Sequence, residues 1–148
     1  MNKKVLINLY IFILSSILIG QSIPYFDEEK AFNYILKQCS FGPRFPSSPG
    51  HHDFQLYLKN YLIDHSDSLI VYKHEIIHPY KEDKEIILYN FLARYNLQLS
   101  NRIMLMAHWD TREIADKDPN PENHNQPILG ANDGASGVSV LMVLADIL

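Results

Sequence analysis

Two short segments constrain this chain more than anything else in it. His108-Trp109-Asp110 closes an apolar run from Arg102 to Ala107, and Pro127-Ile128-Leu129-Gly130-Ala131-Asn132-Asp133-Gly134-Ala135-Ser136-Gly137 opens another that runs to Leu148. The first run reads as a strand and the second as a helix. In open α/β sheets, ligands bind in the crevice beyond the strand ends. His108 and Asp110 are two residues apart, so on a strand both would face the same spot. Imidazole nitrogen and carboxylate oxygen suit zinc, and a catalytic zinc commonly keeps three protein ligands and one open position. Asp133 stands among Gly130, Gly134 and Gly137, which permit unusual backbone angles and close approach. A lone His-x-Asp also fits a solvated strand end. On the residues alone, a metal site and a solvated turn both stay open.

The 148 residues leave room for one domain. Apolar residues make up 47% and charged ones 20%, which excludes an obviously disordered chain. Residues 1–22 read separately. Lys3 and Lys4 precede a mostly apolar stretch, Val5 to Ile19, and Gly20-Gln21-Ser22 offers small residues at the positions a signal peptidase reads. We expect a secretory signal peptide cut after Ser22 and a periplasmic or secreted protein. The alternative is an uncleaved membrane anchor, for which the run is short. Without Lys3 and Lys4 the net charge moves from −4 to −6. No basic patch stands out, so nucleic acid is not an expected partner, and no stable membrane partner is expected after cleavage. Cys39 is the single cysteine, which excludes an internal disulfide and a thiolate cluster; it reads as a small buried hydrophobe.

Along the chain, Phe26 to Cys39 predicts a helix with Asp27, Glu28 and Glu29 in its first turn and Phe32, Ile35 and Leu36 on one face. A proline-rich loop from Ser40 to Gly50 leads to a helix over His51 to Asp64, striped by Phe54, Leu58, Tyr61 and Leu62. Leu69 to Ile77 and Ile86 to Tyr95 predict strands around a polar turn at Lys81 to Lys84. Arg102 to Ala107 predicts a third strand, apolar on both faces and so covered on both. Glu113 to Gln126 is a long polar loop. The last helix is apolar almost all round, which predicts burial. It carries no stop signal. We therefore expect a fragment of a longer α/β protein rather than a natural short one.

Met106-Ala107-His108-Trp109-Asp110-Thr111-Arg112, then Ala115-Asp116, Asp118-Pro119 and the run from Pro127 to Gly137, resemble the zinc aminopeptidase family that also contains the animal-type glutaminyl-peptide cyclotransferases. The Asp/Pro/Asn-rich loop between the motifs resembles that of the bacterial cyclotransferases. Phe41-Gly42-Pro43-Arg44 and Ser48-Pro49-Gly50-His51 match the family's loop between the first two helices. The resemblance covers about Phe26 to Leu148. It implies a three-layer α/β/α sandwich with a mixed central sheet, incomplete in this chain, in which 23–148 is the N-terminal part of a catalytic domain.

By the same resemblance, Asp133 is a zinc ligand, bridging two ions in the aminopeptidases. His108 binds the second ion there, and stands beside the metal in the single-zinc cyclotransferases. Asp110 orients and polarises the metal-binding groups, and Trp109 is expected at the substrate. The family places a cis peptide after the ligand aspartate, here Asp133-Gly134. Its other ligands, a glutamate and a histidine, and its general-base glutamate come from later sequence. His51, His52, His65, His74, His78 and His124 match none of these positions and read as surface or structural. Arg44 is expected to tie down carbonyls within a packing loop. Asp116, Asp118 and Glu122 read as a solvated loop at the site mouth, with calcium binding as the alternative. Glu113-Ile114 departs from the Pro-aromatic pair of the family, which bears on substrate preference.

The implied activity is conversion of an N-terminal glutamine to pyroglutamate with release of ammonia, using one zinc. The alternatives are a two-zinc aminopeptidase and an inactive or purely binding remnant. The substrates are peptides or proteins with a free N-terminus. The 148-residue chain alone is expected to be inactive.

Overall fold

The computed structural model describes residues 23–79 and 81–148. The proposed signal segment lies outside the described residues. Among them, no helix is long and apolar enough to cross a membrane. The order is α1 (Glu28–Ser40), α2 (Pro49–Asp64), β1 (Ser68–Ile77), β2 (Glu85–Arg94) and α3 (Ser136–Ile147), with a 3-10 turn at Pro121–Asn123. The class is α/β.

Both leading helices start on side-chain caps, which satisfy amides that have no partner inside the helix. Asp27 Oδ1 accepts from the Lys30 N–H at 2.8 Å. Ser48 Oγ accepts from the His51 N–H at 3.1 Å, and Pro49 follows in the first turn. Proline is preorganised for that position and lacks the amide that would be orphaned there. The second helix therefore begins two residues before the expected His51.

β1 and β2 pair antiparallel from Ser68 opposite Arg94 to Ile77 opposite Glu85, as the alternating pattern predicts. Residues 102–107 form no strand. A strand exists through ladder bonds to a neighbour, and the described residues supply none here. Arg102 instead turns its guanidinium back onto the carbonyls of Tyr95 and Leu97, at 2.7 and 2.9 Å. Ile103 to Met106, expected to be covered on both faces, are exposed.

The core gathers Phe54 and Leu58 of α2, Trp109, and Val138 and Met142 of α3. Tyr61 and Leu62 complete the α2 stripe as half-buried neighbours. α3 is largely buried, with Val140 open to solvent.

α1 departs from the expected orientation. Phe32 and Leu36 are exposed, while Gln38 is fully buried. The reason is polar. Gln38 Nε2 donates to the Ala135 carbonyl at 2.9 Å and to Ser139 Oγ at 2.8 Å. One turn earlier, Tyr34 OH reaches Asp146 Oδ2 at 3.1 Å. α1 thus turns its hydrogen-bonding side toward α3. Asp146 also accepts from Tyr61 OH at 2.8 Å and pairs with Lys30 at 2.8 Å and His65 at 3.3 Å, joining all three helices. Cys39 is a free, half-buried thiol.

Candidate functional site

The two motifs meet. His108 Nε2 lies 2.9 Å from Asp133 Oδ1. On the other side of the ring, Nδ1 lies 3.2 Å from the Asp110 carbonyl and 3.3 Å from its Oδ1. An ionised carboxylate only accepts hydrogen bonds. A neutral ring can donate to only one of these sides, so satisfying both takes either a second proton on the ring or a metal ion at one nitrogen. Burial works to lower the His108 pKa, but the bond to Asp133 and the charge of Asp110 outweigh it and hold the imidazole above its ordinary value.

The donor set fits zinc in part. Nitrogen and oxygen ligands about 2 Å from a tetrahedral zinc lie roughly 3.3 Å from one another, close to the 2.9 Å seen here. With Nδ1–H bonded to Asp110, Nε2 is the nitrogen left to face a metal. Among the described residues, no group of three or more His, Cys, Asp or Glu side chains is placed to hold an ion. The pair is therefore an incomplete ligand set. The acidic loop residues Asp116, Asp118 and Glu122 form no such group either; Asp116 pairs with Arg112.

The backbone around Asp133 explains the glycines. Gly130 has φ +62°, and a Cβ there would stand 2.5 Å from Thr111 Cγ2 and 2.6 Å from the Asp133 carbonyl. Gly134 has φ +98° and ψ −60°, near the rare, strained γ-turn conformation. A Cβ there would meet the His108 ring and the Asp110 carbonyl at 3.1 Å. Glycine is thus what allows His108 to lie against this turn. The Asp133-Gly134 peptide is trans, as are all those described, contrary to the cis bond the resemblance implies. The reversal between loop and helix is made by the φ of Gly134 instead.

Trp109, expected at the substrate, is 8% exposed with its side chain in the core, and it borders the groove beside His108 and Asp110. Its ring stacks on His51 at 4.3 Å between centroids, and Nε1–H donates to the Tyr89 carbonyl at 3.1 Å. Alternation along residues 108–110 accounts for this: His108 and Asp110 face out and Trp109 faces in. His51 is itself buried, and burial pushes its pKa down to about 4. It reads as structural, as expected, yet it also lines the groove beside His108 and Asp110.

Arg44 does tie down carbonyls. Its side chain is fully buried. Nε donates to the Trp109 carbonyl at 3.2 Å, and Nη1 to those of Gln38 and Gly42 at 3.1 and 3.3 Å. Nη2 donates to the Gly130 carbonyl at 3.3 Å. Thr111, which the sequence did not single out, accepts the Arg44 N–H on Oγ1 at 2.8 Å. Its polar-to-buried placement leaves no local signal. Glu113, in the departing Glu-Ile pair, is tied to the hairpin turn through Lys81 and His78.

Residues 90–148 match the family described as Peptidase family M28. A leucine aminopeptidase precursor from Bacteroides thetaiotaomicron is similar at 36% identity and TM-score 0.79, over 85% of this chain and 43% of that one. A glutaminyl cyclase from the same species, solved with N-acetylhistamine, has 36% identity and TM-score 0.79 over 85% and 42%. A Zn-dependent exopeptidase from Parabacteroides distasonis has 34% identity and TM-score 0.73 over 84% and 42%. No curated protein matches the chain. The chain spans less than half the length of these solved structures. Their fold is the α/β fold seen here, and residues 90–148, which carry His108, Asp110 and Asp133, are the ones that match peptidase family M28.

Proposed function

We propose that this chain is part of a secreted or periplasmic zinc-dependent glutaminyl-peptide cyclotransferase, acting on peptides or proteins with an N-terminal glutamine. The observation that carries the metal reading is the His108–Asp133 pair, whose nitrogen and oxygen stand 2.9 Å apart, near the spacing of two ligands on one zinc. The similarity to a solved bacterial glutaminyl cyclase supports the choice of reaction.

In this reading Asp133 binds the metal, His108 stands against it, and Asp110 orients the His108 ring. Bound there, zinc would supply Lewis acidity toward the γ-carbonyl of the glutamine. The substrate's own α-amine attacks that carbon, forming the ring C–N bond. The α-nitrogen gives up a proton to a general base, which delivers it to the side-chain nitrogen as the bond from that nitrogen to the γ-carbon breaks and ammonia leaves. Here the nucleophile is held by covalent connection to the carbonyl it attacks, which raises its effective concentration.

A second reading is a two-zinc aminopeptidase, in which His108 binds the second ion. It is favoured by the aminopeptidase precursor that is equally similar in structure. Offering the full-length protein Gln-initiated peptides and amino-acid anilides, with zinc added, separates the two. Pyroglutamyl product and ammonia without free amino acids establish the cyclotransferase. Released N-terminal residues overturn it in favour of the aminopeptidase. No turnover of either kind overturns both.

A further inference from the structure

We infer that Gln38 and Arg44 are positioning residues for Asp133, holding the two ends of the segment that carries it. Asp133 belongs to no regular helix: its φ of −87° and ψ of 101° are extended, and Gly134 follows at positive φ. Its side chain is exposed and its neighbours Ala131 and Asn132 are exposed too. Gly134 is packed against His108 and Asp110, but nothing packs over Ala131 to Asp133 from outside. The segment is held at its ends. At one end, the Gly130 carbonyl accepts from Arg44 Nη2 at 3.3 Å. At the other, the Ala135 carbonyl accepts from Gln38 Nε2 at 2.9 Å. The Ala135 N–H closes the loop on the Gly130 carbonyl at 3.1 Å.

The same guanidinium holds the other half of the site, through the Trp109 carbonyl between His108 and Asp110 at 3.2 Å. It also donates to the Gln38 carbonyl at 3.1 Å, so the two anchors are themselves joined. Both are held at a cost. Gln38 Oε1 is buried without a partner, and desolvation holds the Arg44 pKa below its ordinary value. The hydrogen bonds of this buried amide are made by its NH₂ group, to the Ala135 carbonyl and to Ser139 Oγ. A planar fork aimed at several carbonyls is a task lysine does not perform.

The consequence for zinc rests on the metal reading of Asp133; the geometric part does not. The test uses Gln38→Met, which keeps volume and removes the donor, and Arg44→Lys, which keeps charge and removes the fork. Hydrogen exchange is followed at Ala135 and across the β1–β2 ladder, and zinc affinity is measured by titration with zinc chloride. In both variants Ala135 is expected to exchange about tenfold faster relative to the ladder, the change that loss of one buried hydrogen bond produces. Zinc affinity is expected to fall about 10–100-fold at unchanged stoichiometry, as for other groups that orient a ligand. Equal acceleration at Ala135 and in the ladder means a merely structural role and overturns the inference. If Arg44→Lys does not fold, Gln38→Met decides alone. A wild-type protein that binds no zinc defeats the metal reading, and the exchange comparison still decides the positioning.

Discussion

His108 and Asp133, 25 residues apart, face one another across 2.9 Å with an imidazole nitrogen against a carboxylate oxygen. Replacing the carboxylate by an amide, Asp133→Asn, keeps the shape and removes the charge. Zinc affinity is expected to drop by more than the roughly 10–100-fold that loss of an outer partner costs. The metal-free protein should change little, since both side chains are largely exposed. Zinc titration beside a thermal melt checks both statements. Undiminished zinc binding would place the metal elsewhere.

In the proposed reading Asp110 acts through His108, so its loss should be milder. With Asp110→Asn, the Nδ1 side of the ring keeps the Asp110 backbone carbonyl at 3.2 Å but loses the carboxylate charge. Zinc affinity and turnover should fall about 10–100-fold, with the number of ions bound unchanged. An effect as large as that of Asp133→Asn would mean that Asp110 is a ligand itself.

Gly134→Ala adds a methyl that meets the His108 ring and the Asp110 carbonyl at 3.1 Å, at a φ of +98°. Strain of this kind costs about 1–3 kcal/mol. The melting temperature should fall, and the His108 ring resonances should shift in NMR spectra. A silent substitution would show that the turn relaxes to another conformation.

His51 makes stability depend on pH. Its pKa is pushed down to about 4 by burial beside Trp109. Between that value and its ordinary one, the unfolded chain binds a proton that the folded chain does not. Stability is therefore full above about pH 6.5 and is lost as pH falls toward 4, by on the order of 3 kcal/mol when complete. His51→Phe keeps a ring against Trp109 and removes the titration. Urea denaturation from pH 7 to 4 should show a smaller fall for this variant. Parallel curves would refute the assignment.

Asp146 acts in the carboxylate range. Burial works to raise its pKa, but Lys30, Tyr61 and Tyr34 outweigh it and hold the carboxyl below its ordinary value. Its contribution is present above about pH 4 and disappears as pH falls through the lowered folded value. Asp146→Asn removes charge-assisted bonds linking α1, α2 and α3, and should cost about 2 kcal/mol at neutral pH. Denaturation at pH 7 measures it, and a loss under about 0.5 kcal/mol, the range of ordinary surface changes, would contradict the account.

Much of this was legible in the residues. The β1–β2 alternation and the two motifs are local patterns, and local patterns survive folding because they describe residues a few positions apart. The glycines around Asp133 were legible for the same reason, and two of them take positive φ. The inward turn of α1 was not. Its apolar residues Phe32 and Leu36 pointed one way, and hydrogen bonds to α3 turned it the other. The Arg102 to Ala107 run carried every mark of a strand, but pairing needs a neighbour, and no composition within the run supplies one.

The sequence by itself determined which groups the site offers: an imidazole, two carboxylates and glycines that let them approach. Only the tertiary structure decided what holds them there. Arg44 finds the Trp109 carbonyl 65 residues away, and Gln38 finds the Ala135 carbonyl 97 residues away. No periodicity encodes such a pairing, because a buried donor is matched to an acceptor by the packing of whole elements, and the cost of leaving either unmatched is felt only once water has been removed.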